Sequence, residues 1–409
     1  MNSRQSFSNS DNMENQFVKI IHDKIKVHSL TGRITIDLMF KAFKAVKKNR
    51  GCAGIDKVTI AMYESNLAEN LGALMRELKS GQYMPQPLRR EHIDKGGGKT
   101  RPLGIPAVKC RVAQEVLRRL LNPIFEKRFH DNSFGFRPGR NCHQAIERMI
   151  DHAQQGLRYV VDVDIKGFFD NIPHHLIMES IAAKIADGNI LNTIERMLNS
   201  GVIEDGELKP TPRGAPQGGV LSPLISNAVL DHLDWYLEVN KLHFVRYADD
   251  FVVMCKTMDE AKKALDAIRE FLHEMGLETS PEKTKISTFK EGFNFLGFAT
   301  KHCSVVMREK SMEKFKEAVR VITTRSHNLD KEVIEELNRV IRGTVNYFGA
   351  KFSTMMNMFR MLDKWIRKRI RCMKVKRIKH CDNAKLPNAY IRKMGLVNCC
   401  ELYRTKLRC

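Results

Sequence analysis

The sequence lacks the features that would place it in a membrane, on a secretory route or around a structural metal. No uninterrupted apolar run approaches the roughly 18 to 20 residues that span a bilayer. The opening MNSRQSFSNSDNMENQ is polar, carries acids and has no apolar centre, so it does not read as a signal peptide. Ten cysteines are present, yet no Cys-x-x-Cys pair occurs, and the one close pair, Cys399–Cys400, is adjacent, which does not suit zinc. Scattered reduced thiols are the remaining reading, and a soluble, cytoplasmic protein is expected. Internal repeats are absent. Acid is the scarce charge: 47 Asp plus Glu stand against 69 Lys plus Arg, a formal net charge of +22. Such an excess calls for a polyanionic partner, most often nucleic acid, with a solubility charge as the plain alternative.

What is present describes a globular chain. Its 409 residues suffice for two to four domains, and 43% hydrophobic with 28% charged residues is ordinary composition for a folded protein. Residues Met1 to about Glu14, rich in Ser and Asn, read as a disordered tail. Ile36, Met39, Phe40, Phe43 and Val46 recur at helical spacing until KKNRGCAGID breaks the pattern into a loop. HIDKGGGKTRPLGIP reads as a basic, glycine-rich turn between two short strands, followed by one or two helices over Ala107–Phe129. RYVVDVDI is a strand with Tyr159, Val161, Val163 and Ile165 on one face and Asp162 and Asp164 on the other. HFVRYADDFVVM has the pattern of a hairpin, with helices expected near Leu221–Leu237 and Asp259–His273. Strands interleaved with helices predict a sheet with helices on one face. Val333, Leu337, Val340, Ile341, Thr344, Tyr347 and Phe348 follow an amphipathic helical rhythm. Beyond them, Lys364–Lys379 holds nine basic residues and no acid, interleaved with Trp365, Ile366, Ile370 and Met373. That grammar suits a helix docked by its apolar face and offering cations to phosphate, although calmodulin-target and membrane-surface helices share it.

The chemistry concentrates at Tyr247-Ala248-Asp249-Asp250, at the tip of the predicted hairpin. Two carboxylates about 4 Å apart repel by roughly 4 kcal/mol at an effective dielectric of about 20. Unless well solvated, such a pair needs a cation, and Mg²⁺ with few protein carboxylates and substrate phosphates meets that need. An exposed Asp-Asp turn is the ordinary reading of the dipeptide alone. Asp164 alters the balance: if its strand neighbours the hairpin, Asp164, Asp249 and Asp250 can cage a pair of Mg²⁺ ions about 3.5 to 4 Å apart. Asp162 sits one pleat back and reads as structural, and Asp170 as a cap on the following turn.

These residues carry a resemblance. VDVDIKGFFD, TPRGAPQGGVLSPLISN, FVRYADDFVV, GLETSPEKTKI and FNFLGF occur in the order of the palm motifs of reverse transcriptases, and are most similar to those of group II intron-encoded proteins. Upstream, GCAGID, KTRPLGIP and SFGFRPGRNCHQAI resemble that family's finger motifs; downstream, LNRVIRGTVNYFG resembles its thumb, or maturase, region. The resemblance runs from about Val46 to Gly349. It implies an α+β right-hand polymerase: N-terminal extension and fingers over residues 15–150, an antiparallel palm sheet backed by helices over 151–304, a helical thumb over 305–362 and a basic nucleic-acid-binding segment over 363–409.

By the same resemblance Asp164, Asp249 and Asp250 are the ligands of two Mg²⁺ ions, with Mn²⁺ a possible substitute. Phe169, five residues after Asp164, is the steric gate against a ribose 2′-OH, with its neighbour Phe168 the one-place alternative. Gln217 and Gly218 line the nucleotide pocket, Lys95 and Arg101 hold the triphosphate, and Lys283 is either the general acid for pyrophosphate or merely exposed. Tyr247 and FNFLGF support the primer end, and Arg128, Arg137 and Arg140 track the template or are solvated charge. The expected partners are structured intron RNA, an RNA template with its DNA primer, dNTPs and a DNA target. Many family members continue into a Cys-rich endonuclease domain; without such cysteine pairs, no DNA cleavage is expected here. Three further readings stand beside the polymerase–maturase: a maturase acting only as an RNA-binding splicing factor, an RNA-dependent RNA polymerase, and a relative recruited to DNA repair or phage defence.

Overall fold

The computed structural model of the chain describes residues 26–94, 98, 100–376 and 382–408. The tail expected over Met1–Glu14, Lys95 on the glycine-rich turn, and residues 377–379 of the basic stretch lie outside the described residues. Helices and sheets are mixed, in an α+β arrangement. They form two compact units, Met1–Leu157 with Val161–Ile286, and Arg158–Val160 with Ser287–Cys409.

In the first unit, helices begin where the sequence supplies caps. The Thr257 hydroxyl accepts from the Glu260 amide while the Glu260 side chain returns the bond, a capping box that opens the Met258–Glu274 helix. Its Ala261, Ala264, Leu265, Ile268 and Leu272 share the buried face. The Ser222–Val239 helix has proline in its first turn, where a missing N–H costs nothing, and buries Leu224, Ile225, Val229, Leu230, Leu233 and Leu237. Ala107–Phe129 proves to be a single helix, Val108–Glu126, which ends within a turn of Pro123.

Two sheets carry the candidate residues. β1 (Leu88–Asp94) and β2 (Thr100–Ile105) pair antiparallel with Ile93 opposite Arg101. β3 is Tyr159–Asp164. β4 (Val202–Glu204) runs parallel to β1 and antiparallel to β5 (Glu207–Lys209), giving the order β2-β1-β4-β5. Three-residue strands are too short to show alternation, so β4 and β5 left no trace in the sequence pattern. β6 (His243–Tyr247), β7 (Asp250–Cys255) and β8 (Lys285–Thr288) join β3 in the order β6-β7-β3-β8. Along β7, Phe251 to Cys255 are buried in succession. Both faces of this strand are therefore covered.

The second unit has its own core. β9 (Phe293–Phe295), β10 (Phe298–Lys301) and β11 (Ser304–Met307) form an antiparallel sheet, and four longer helices follow: Glu309–Ile322, Lys331–Phe348, Met356–Val375 and Cys399–Arg408. Phe315, Val319, Leu337, Ile341, Phe359, Ile366 and Tyr403 meet in this core. Asp363 is buried, and its carboxylate accepts from the Cys399 and Cys400 amides at 2.8 and 3.1 Å, satisfying the N-terminus of the last helix. In FNFLGF the three phenylalanines are core residues, no more than 2% exposed, so their rings do not form a gripping surface. The basic stretch is helical to Val375, with Ile366, Ile370 and Met373 buried as expected. Part of its charge is engaged within the unit: Arg369 binds Thr323, Arg371 binds Leu386 and Asn388, and Lys376 binds the carbonyls of Arg325 and His327. Lys364, Lys368 and Lys374 are exposed. No helix among the described residues is long and apolar enough to cross a membrane, and the eight described cysteines are free thiols.

Candidate active site

The hairpin closes with Tyr247 paired to Asp250, leaving Ala248 and Asp249 as its two-residue turn. Ala248 has φ +60°, a left-handed conformation that side-chain-bearing residues adopt at a cost, so its surroundings must hold it. They do so through Arg246, which is fully buried. Its guanidinium forks onto Asp234 at 2.7 and 2.5 Å, and its remaining nitrogen donates to the Asn227 amide oxygen at 3.0 Å and the Ala248 carbonyl at 2.9 Å. From the other side, the Asn227 amide donates to the Gly135 carbonyl at 2.8 Å. A Cβ at Gly135 would lie 2.2 Å from the Ala248 nitrogen, so only glycine permits this approach. The Phe134 amide donates to the Arg246 carbonyl, and the Arg246 amide to that of Asn132. The turn bearing Asp249 and Asp250 thus rests on the Asn132–Gly135 segment and the Ser222–Val239 helix.

Asp164 is the last residue of β3, and β3 is the hydrogen-bonded neighbour of β7, which Asp250 begins. Adjacent strands lie about 4.8 Å apart. The segment after Glu278 runs along the end of β3: Lys166 donates to the Glu278 carbonyl, Ser280 to the Asp164 carbonyl, and Ile165 bridges Thr279. That path brings the Lys283 ammonium to both Asp164 oxygens, at 2.9 and 3.1 Å. Both side chains are more than a third exposed, so the pair contributes at most about 1 kcal/mol. Among the described residues, no group of three or more His, Cys, Asp or Glu side chains is gathered closely enough to hold an ion. The donors at this end of the sheet are nonetheless carboxylate oxygens that already draw a cation, and hard oxygen donors fit Mg²⁺. Asp162 is half-buried on the same strand face; burial, with the Asp164 charge adding to it against the pull of Lys285, pushes its carboxyl up to about 6.

A loop links these carboxylates to the β1–β2 hairpin. Ala215 donates to the Phe169 carbonyl at 2.7 Å, and Gly104 of β2 donates to the Gln217 carbonyl at 2.8 Å. Gly218 has φ +104°, and a Cβ there would meet Leu103 at 2.9 Å and the Gly104 carbonyl at 3.0 Å. The Gln114 side chain, on the Val108–Glu126 helix, accepts from Val220 at 2.7 Å and fixes the loop's far end. Side chains continue the connection: Arg101 donates to the Gln217 amide oxygen at 2.7 Å, and the Gln217 amide donates to Asp170 at 2.8 Å. Asp170 therefore orients Gln217, in place of the turn cap expected of it. Phe168 is buried at 1% exposure and cannot touch a nucleotide, whereas Phe169 beside it is half-buried.

The model of the family "Reverse transcriptase (RNA-dependent DNA polymerase)" matches residues 93–300. The chain belongs to the reverse transcriptase family. A second model, "Group II intron, maturase-specific domain", matches residues 312–389. Protein YkfC of Escherichia coli (strain K12) is 34% identical over 286 residues, covering 60% of this chain and 74% of that protein. The group II intron-encoded protein LtrA of Lactococcus lactis subsp. cremoris is 30% identical over 330 residues, 64% of this chain and 54% of LtrA. Nuclear intron maturase 2, mitochondrial, of Arabidopsis thaliana is 28% identical over 43% of this chain and 29% of its own length. The chain thus spans about three quarters of the first of these relatives and about half of the second.

Against this family background, the three arginines assigned to the template separate. Arg137 is buried, bound to Glu126 and to the carbonyls of His130 and Ser133, and is a structural clamp. Arg140 pairs with Asp131 and lies 5.5 Å from the Phe134 ring centre. Arg128 is partly exposed at the end of the Val108–Glu126 helix. Sequence reasoning missed Arg246, Asp234, Asn227 and Gly135, although one signal was available. An arginine inside the apolar strand HFVRY needs a buried anion, and Asp234 is an acid among the apolar residues of the preceding helix.

Arg246→Leu should leave Asp234 buried and unpaired and lower unfolding free energy by about 3 to 5 kcal/mol, with partial recovery in Arg246→Leu/Asp234→Leu, read by chemical denaturation. Asp231 offers a pH test. Burial first, then the charge of Asp234, raises its carboxyl from 3.8 to about 7. A raised acid favours the protonated folded form, so its stabilisation is complete below the unfolded value and is lost as pH climbs through 7. Asp231→Asn should therefore exceed the parent by about 4 kcal/mol at pH 8 and match it near pH 4.

Proposed function

We propose that the chain is an RNA-directed DNA polymerase that adds dNTPs to a primer on an RNA template, and that its second unit binds structured group II intron RNA and assists splicing in support of intron mobility. The observation that carries this reading is the convergence, within one unit, of the Asp249–Asp250 turn, Asp164 on the neighbouring strand, and the Asp170–Gln217–Arg101 chain. In this reading the β1–β2 sheet belongs to the fingers, the β6-β7-β3-β8 sheet to the palm, and the helices from Glu309 onward to the thumb and maturase region.

Asp164, Asp249 and Asp250 would hold two Mg²⁺ ions, or Mn²⁺ in their place; when bound, such ions activate the primer 3′-hydroxyl and stabilise the leaving oxygen. The protein's own groups do the rest. Arg101 places a fixed cation toward the triphosphate, as Lys95 would on the same hairpin. Gln217, aligned by Asp170, offers its amide beside the incoming nucleotide, and Gly218 lets the backbone come close. Phe169, half-buried, presents the ring that a ribose 2′-OH would strike, and Tyr247 flanks the catalytic turn. Lys283, bound to both Asp164 oxygens, would carry a proton for the pyrophosphate oxygen. DNA binding falls to the exposed lysines of the Met356–Val375 helix and the basic residues beyond it. Partners of the related proteins, including intron RNA, are extended to this chain on family likeness.

Asp249→Ala should abolish dNTP incorporation on an RNA template while leaving RNA affinity within about threefold; persistent incorporation would remove the carboxylate assignment. Phe169→Val should raise incorporation of ribonucleotides relative to dNTPs by at least about tenfold, measured by single-turnover extension, and unchanged selectivity would dismiss the gate.

A further inference from the structure

We propose that Phe136 is a stacking platform for a nucleobase of the bound template–primer, a role that rests on the polymerase reading above. Its neighbours in the chain are buried: Ser133, Phe134 and Gly135 before it and Arg137 after it. Phe136 alone turns outward, with 53% of its surface exposed. Its backbone has φ +61°, a region that suits glycine and disfavours a bulky aromatic. An aromatic here thus meets two penalties, a strained backbone and an apolar ring more than half exposed to water. Strain held at a functional centre is intelligible when the side chain has a ligand.

The surroundings identify that ligand. Gly135 lies directly against the Tyr247–Ala248 backbone, so Phe136 sits one residue from the catalytic turn. The loop is rigid on both sides, through Asn227 to the Gly135 carbonyl and through Arg137 to Glu126, His130 and Ser133. A pre-organised, exposed ring beside a carboxylate turn, in a chain of net charge +22, matches the stacking of an unpaired or terminal base. Stacking reads the π face common to all four bases, so this contact grips nucleic acid without selecting sequence. The shared chemistry is a nucleobase; whether it comes from the template or the primer strand is decided by the experiment.

The test is equilibrium binding of the full chain to an RNA template–DNA primer duplex without divalent ion or dNTP. 2-Aminopurine is placed singly along the template in one series and along the primer in the other. Phe136→Gly should weaken binding by on the order of tenfold, abolish quenching at one position of one strand, and melt at or above the parent temperature because glycine relieves the strained φ. Phe136→Trp should retain both affinity and quenching. Phe136→Gly binding within twofold of the parent would overturn the proposal, as would loss of affinity accompanied by a lower melting temperature, which marks a scaffold role. Duplex binding with the Phe136 effect but no dNTP incorporation would sink the polymerase reading and leave the stacking assignment standing.

Discussion

A guanidinium with no exposed surface lies beneath the Ala248–Asp249 turn, and the local structure is arranged around keeping it satisfied. Taking Arg246 and Asp234 out of water costs several kcal/mol per ion, and their fork geometry returns that cost only because the further donors find Asn227 and the Ala248 carbonyl. A hydrophobic pair would restore part of that stability by packing alone. What the ion pair adds is direction: it admits one position of the Ala248 carbonyl and hence one presentation of Asp249 and Asp250. Gly135 completes the constraint by letting a second loop lie on the turn at a distance that no other residue allows.

The positive charge of the chain divides into two populations. Arg111 donates to the Cys52 carbonyl, Arg137 clamps its loop, Arg246 supports the hairpin, and Arg369 and Arg371 tie helices of the second unit together. These arginines use several fixed donors at once to organise backbone, a task for which a planar fork is suited. The lysines at 364, 368 and 374 remain at the surface. Net charge therefore overstates the cations available to phosphate, and salt dependence of binding would count the second population only.

Two further connections couple elements that are distant in sequence. The Ala215–Gly219 loop is bonded to Phe169 on one side and to β2 on the other, so a shift of the β1–β2 hairpin would be felt at Phe169. Lys283 reaches Asp164 because the Glu278–Thr284 segment is hydrogen-bonded along the end of β3. In both places a charged or amide side chain holds its partner in position, Arg101 on Gln217 and Lys283 on Asp164.

Much of the architecture was legible in the chain itself, because period and turn chemistry are local. The hairpin around Tyr247–Asp250, the strand ending at Asp164 and the amphipathic helices follow from spacing, and the family follows from motifs in order. The full burial of Phe168 beside a half-buried Phe169, the burial of Arg137, the joining of β4 to β1 and the engagement of Asp170 with Gln217 were decided by tertiary contacts. Sequence pattern reports which residues can face a core; it does not say which partner waits there. A buried arginine, a strained exposed phenylalanine and a glycine pressed on a backbone acquire meaning only when segments separated by about a hundred residues are brought within hydrogen-bonding distance.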